Sequence, residues 1–133
     1  MLVFGCGVVL LLCLAVALVI ERRVTEANRN LFAAQVAANA ILVYVTDFRR
    51  WPESEHDLRK VAASGAFEWP KDADEVTRRI RIVYNVTLND VAMASKEKFP
   101  YLVPQGPIFV GSFQAKVEAI IIRSKDVTEN ERK

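Results

Sequence analysis

Charge is missing from the first twenty residues, Met1 to Ile20, and so is proline. Glycine and proline are both missing from the long interval between Gly7 and Pro52. Cysteine occurs only at Cys6 and Cys13, which excludes a disulfide within everything that follows. Histidine occurs once, at His56, so no histidine cluster is available to hold a metal. There is no Gly-rich phosphate loop and no serine in a nucleophile-elbow context. These absences argue against an enzyme, and no cofactor is implied. Net charge is +2 with acids interspersed among the bases, so Arg78, Arg79 and Arg81 read as a solvated face and no nucleic acid or small-molecule substrate is expected.

What is present begins with the apolar run. A helix of twenty residues covers about 30 Å, the thickness of a bilayer's hydrocarbon core, so residues 1–20 read as a single-pass membrane anchor. A secreted soluble domain after signal-peptide cleavage near Ala17 is the main competitor, because Ala15-Val16-Ala17 offers a small-x-small site. Leu18, Val19 and Ile20 prolong the apolar run beyond that site, and no basic residue precedes it, which favours the anchor. Arg22, Arg23 and Arg29 follow the run and place the C-terminal part on the cytoplasmic side, provided that the first methionine is the true start.

The interval without glycine or proline predicts one continuous helix from Gly7 to Arg50, on the order of 65 Å long. Residues 21–50 form a helical extension packing on the soluble part, ended by Arg49 and Arg50 at the negative pole of the helix dipole. Within it, Leu31 to Phe48 is apolar around most of its circumference, with Asn28, Gln35, Asn39 and Thr46 as a narrow polar stripe. So little polar surface requires covering. The leading reading is the central helix of a small core. The others are a protein partner or homo-oligomer contact through 31–48, helped by Ala33, Ala34, Ala37 and Ala38, and a second membrane span over Asn30 to Thr46.

Residues 51–124 read as a small α+β domain. Trp51-Pro52-Glu53-Ser54-Glu55-His56-Asp57-Leu58 is echoed by Trp69-Pro70-Lys71-Asp72-Ala73-Asp74-Glu75-Val76. Each Trp-Pro pair precedes a capping residue and a carboxylate three positions on, which predicts short helices over Ser54 to Ala63 and Asp72 to Arg79. Ser64-Gly65 closes the first. The tryptophans read as packing anchors, and alternatively Trp51 and Trp69, with Gln35 and Asn39, as an interaction surface. Asp72, Asp74 and Glu75 read as capping residues rather than a calcium site, because the glycine and later glutamate of an EF-hand loop are missing.

Alternation predicts a strand over Arg79 to Leu88, needing a partner among Phe99 to Val103, Ile108 to Val110 and Phe113 to Ile122. The last of these alternates like a strand and also carries a helical stripe opened by Ser112; helix is preferred. Asn89-Asp90 caps a further short helix over Val91 to Ala94, and residues 125–133 form a charged flexible tail. The fold class expected is therefore α+β: an N-terminal transmembrane helix continuous with a long soluble helix, then short helices and a small antiparallel sheet.

A long apolar helix leading into a Trp-Pro turn and a small α+β domain is similar in outline to type IV pilins and the pseudopilins of secretion systems. That resemblance implies a filament or secretion-system subunit. The family carries a basic leader, a glycine cleavage point, an aromatic first mature residue and a glutamate a few positions into the apolar helix. Here Gly5 and Gly7 are followed by Cys6 and Val8, and the first acid is Glu21.

Overall fold

The computed structural model describes residues 2–61, 69–70 and 73–133. Its first element is a single unbroken helix, α1 (Leu2–Phe48), about 70 Å long. Ala, Leu, Val, Arg and Glu propagate it, no proline removes an amide, and its two glycines, Gly5 and Gly7, lie in its first two turns. It ends where Arg49 takes a left-handed conformation, φ 55°, and its N–H donates to the Val45 carbonyl at 2.9 Å. This is the αL form of helix ending, with arginine where glycine is usual.

Among the described residues seven elements follow the chain in order: α1, α2 (Glu55–Val61), α3 (Ala73–Arg79), β1 (Ile80–Ile82), α4 (Leu88–Met93), β2 (Leu102–Pro104) and α5 (Val110–Glu131). The fold is α+β and mostly helical, with a two-stranded antiparallel sheet among the described residues in which Ile80 faces Pro104 and Ile82 faces Leu102. The inner half of α1 is exposed all round, whereas from Ala27 onward one side of it enters the core. Ala34, Ala37, Ala38, Ala40 and Ile41 are fully buried, and the small alanine side chains let neighbouring helices approach closely. The outer half of α1 is thus the central core helix, and Asn30 to Thr46 packs inside the domain rather than forming a second span.

α5 is the main partner of α1. At its start Pro107 meets Asn30, and at its end Thr128 and Glu131 share a cleft with Arg49 and Arg50, so α5 runs parallel to the outer half of α1. Phe113, Val117, Ile120, Ile121, Ser124 and Val127 form its buried stripe.

Several expectations are corrected by the packing. The strand expected to reach Leu88 stops at Ile82: the Val83 carbonyl accepts the Trp51 indole N–H at 2.7 Å, and Asn85 turns the chain with φ 61°. Ile82, Val83 and Tyr84 are all half-buried, and the inside-outside alternation resumes only from Asn85 to Leu88, without a ladder. The strand's partner is Leu102–Pro104, which lies within the first candidate except for its last residue, Pro104, at the end of the ladder with no amide to pair. α4 starts at Leu88 and is capped by Thr87, whose hydroxyl accepts the Asp90 N–H at 3.3 Å, not by Asn89-Asp90. α5 is a helix, as preferred, but it begins at Val110 rather than at Ser112. The tail expected to be flexible from Lys125 is helical to Glu131. Ser124 and Val127 extend the buried stripe, and the Ser124 and Thr128 hydroxyls donate back to the Ile120 and Ser124 carbonyls at 2.9 and 3.0 Å.

Candidate functional site

The two Trp-Pro turns can be followed only in part. At the first, the Asp57 carboxylate accepts the Glu53 N–H at 3.0 Å and the Ser54 carbonyl accepts the Asp57 N–H at 3.2 Å, a capping arrangement one residue earlier than the expected box. At the second, Lys71 and Asp72 lie outside the described residues, as do Ala62, Ala63, Ser64 and Gly65. Glu75 pairs forward, accepting from Arg79 Nε at 3.3 Å.

Of the expected surface residues, Trp51 is a core anchor. It is 3% exposed, and its ring meets Phe99 and Tyr101 edge-on at centroid distances of 6.5 and 6.3 Å. Trp69 is half-buried against the same core, with its indole nitrogen buried and without a hydrogen-bond partner among the described residues. Trp51 therefore faces inward instead of contributing to an open aromatic surface. Asn39 is exposed and Gln35 half-buried, and with exposed Asn28 and Thr46 they lie along the one side of outer α1 that the domain leaves open.

On that open side stands Phe32, 61% exposed, which lines an apolar cleft of about 220 Å³ together with Asn28, Arg29, Ala33, Pro70, Glu75 and Val76. An exposed aromatic in the wall of an apolar cleft is a distinctive surface feature of the domain. Sequence reasoning grouped Phe32 with the apolar positions of a core helix. The signal that separates it is its place in the row of Asn28, Gln35 and Asn39, four residues after the first and three before the second.

A polar cluster ties α1 to the sheet and was not anticipated. Asn30, 4% exposed, donates to the Pro107 carbonyl at 2.8 Å and accepts from Arg79 Nη1 at 3.0 Å, while the same nitrogen reaches Glu26 at 2.9 Å. A buried amide with donor and acceptor both used fixes the angle of the sheet on α1, which is a structural task. Its sequence signal was an asparagine off the polar stripe, on the face that must be covered.

His56 is exposed at the start of α2. Among the described residues no three His, Cys, Asp or Glu side chains converge as metal ligands. Burial pushes the Tyr84 phenol up to about 12, with the Glu55 carboxylate adding to the shift. Burial also raises Tyr44, with the Asp57 carboxylate adding to the shift and the Arg50 guanidinium opposing it. Comparison with protein-family models, with curated proteins and with solved structures returns no match.

Proposed function

We propose that this protein is a single-pass membrane protein presenting a small α+β domain whose role is protein binding or structural rather than catalytic. One observation carries the reading: α1 is the one helix among the described residues long and apolar enough to cross a bilayer, and its apolar window is entirely unburied by the protein itself. Apolar surface of this extent in water is strongly unfavourable, and a bilayer is the solvent that removes the penalty. A signal sequence has the same composition, but α1 continues without a break into the domain core. Cleavage near Ala17 would leave the extension from Leu18 attached and the core helix intact, so the secreted form remains the second reading. The pilin-like reading rests on the same layout.

Residues 1–20 serve as anchor. Residues 21–26 are exposed on all sides and lift the domain about 9 Å from the hydrocarbon edge. Arg22, Arg23 and Arg29 at this edge favour a cytoplasmic domain. Matched C-terminal fusions test the orientation, one to a fluorescent protein that matures only in the cytoplasm and one to a phosphatase active only outside it. Fluorescence without phosphatase activity is the expected result. The reverse places the domain outside and transfers support to the pilin-like and secreted readings.

A further inference from the structure

We infer that the turn leading into α5 is a second point of contact with the bilayer: Phe109 and Val110 enter the headgroup layer beside the span, and the partner of this surface is the lipid itself. The inference rests on the bilayer-anchored reading. The turn runs Gly106-Pro107-Ile108-Phe109-Val110-Gly111, an apolar triplet between two glycines. Phe109 and Val110 are 42% and 59% exposed, while Ile108 packs on the core and ties the tip to the domain. Phe109 stands at the cap position of α5, where a serine, threonine or aspartate would accept an amide, and its side chain makes no such bond. Helix formation therefore does not account for an aromatic ring there.

Position selects the bilayer as occupant. The Asn30 side chain holds the Pro107 carbonyl at 2.8 Å, and α5 leads from there away from the span, to the level of Arg49 and Arg50. The turn is thus at the end of the domain nearest the membrane. Asn30 lies ten residues beyond Ile20, about 15 Å along α1. A packed helix such as α5 stands about 9 Å to one side of its neighbour. Tilting α1 toward that side by about 20°, the average for a spanning helix, lowers the turn to roughly 11 Å above the hydrocarbon edge. The headgroup layer fills about 6 Å of that height, and the remaining gap of about 5 Å is bridged by a phenylalanine side chain. The charges nearest the turn are engaged within the protein, Arg79 with Glu26 at 2.9 Å and Arg78 Nε with the Asp74 carbonyl at 3.2 Å. The contact is therefore apolar and needs no anionic lipid.

A span and an apolar tip together fix the direction in which the domain leans. Asn28 and Asn30 project about 200° apart around α1, so leaning toward α5 lifts the side of α1 that carries Asn28. Exposure alone does not give the same outcome elsewhere. Met93 is 81% exposed, but α4 starts at the far cleft beside Arg49 and Arg50, and Met93 stays in water.

The test uses the full chain with Cys6 and Cys13 replaced by alanine, reconstituted into phosphatidylcholine vesicles and carrying one new cysteine at a time, labelled with a fluorophore. Gly111→Cys reports on the turn, where an added Cβ meets nothing within 4 Å. Asn28→Cys and Met93→Cys, both at exposed positions, report on the far side of α1 and on α4. Phosphatidylcholine spin-labelled on its headgroup is expected to quench Gly111→Cys at least threefold more than Met93→Cys, and more than Asn28→Cys, although Asn28 precedes Asn30 on α1. Adding Phe109→Ser and Val110→Glu should bring the Gly111→Cys signal to the Met93→Cys level with circular dichroism unchanged. Phe109→Ser supplies a cap and Val110→Glu suits the first turn of a helix, so unfolding does not explain that loss. Quenching at Gly111→Cys no greater than at Asn28→Cys, or indifference to the paired substitution, overturns the contact. Vesicle flotation separates the two readings. A chain that floats with the turn unquenched sinks the tip contact alone, whereas a chain that does not float sinks the anchor and the tip contact together.

Discussion

Tyr84 and Arg49 show how single residues carry local tension. The folded chain holds the Tyr84 phenol protonated up to about pH 12, whereas an unfolded tyrosine loses its proton near pH 10. Between those values unfolding releases a proton, so stability falls as pH rises. Denaturant midpoints of the detergent-solubilised chain should decline from pH 10 toward 12, and Tyr84→Phe should flatten part of that decline. Tyr44, shifted in the same direction, accounts for a further part. Arg49 sits at φ 55°, where its Cβ is unfavourable by about 1 kcal/mol. Arg49→Gly relieves this while keeping the N–H bond to Val45, and should stabilise the domain by about 0.5–1 kcal/mol in the same assay. Gly106 is the opposite case: a Cβ there would stand 2.9 Å from Asn30 Nδ2. Gly106→Ala must displace the amide that joins Pro107 to Arg79, and should destabilise by about 1–2 kcal/mol. None of these positions announced itself in the chain, because backbone sign, burial of a phenol and clearance at a glycine are consequences of neighbours distant in sequence.

Among the elements, those defined by long periodic patterns were legible and those defined by exchange of hydrogen bonds were not. α1 follows from forty-four residues without glycine or proline between Gly7 and Pro52, and α5 from its apolar stripe. The 125–133 segment was read as a frayed tail because its composition is polar. Its helix survives on buried Val127, which continues the stripe one step beyond Ser124. The strand from Arg79 is shorter than its alternation, because alternation reports which side is wet and not whether a carbonyl is paired; at Val83 the indole of Trp51 takes the carbonyl instead. Thr87 was overlooked as a cap because it was counted inside that strand. Thr87→Ala should lower stability by about 1 kcal/mol, read by equilibrium denaturation, through loss of the acceptor for the Asp90 amide.

For the molecule as a whole, α1 serves two solvents with one backbone. Its inner half presents Val8, Leu11, Leu14 and Ile20 outward with nothing of the protein against them, and its outer half is the core of the domain. Val9→Arg combined with Leu12→Arg places two charges mid-span and should move the protein from the membrane fraction to the soluble fraction. Retention of that double variant after alkaline extraction overturns the anchor. Circular dichroism of the released protein should still report the folded domain, because both substitutions lie remote from residues 27–48. The chain by itself determined the unbroken helix, the anchor-like run, the α+β class and the polar stripe, since these depend on residue type repeated over many positions. The tertiary structure alone decided that Trp51 faces inward, that Asn30 braces the sheet and that Phe32 lines an open cleft. Each of those depends on which distant segment takes up the remaining space and the remaining hydrogen bonds, and no local pattern encodes that choice.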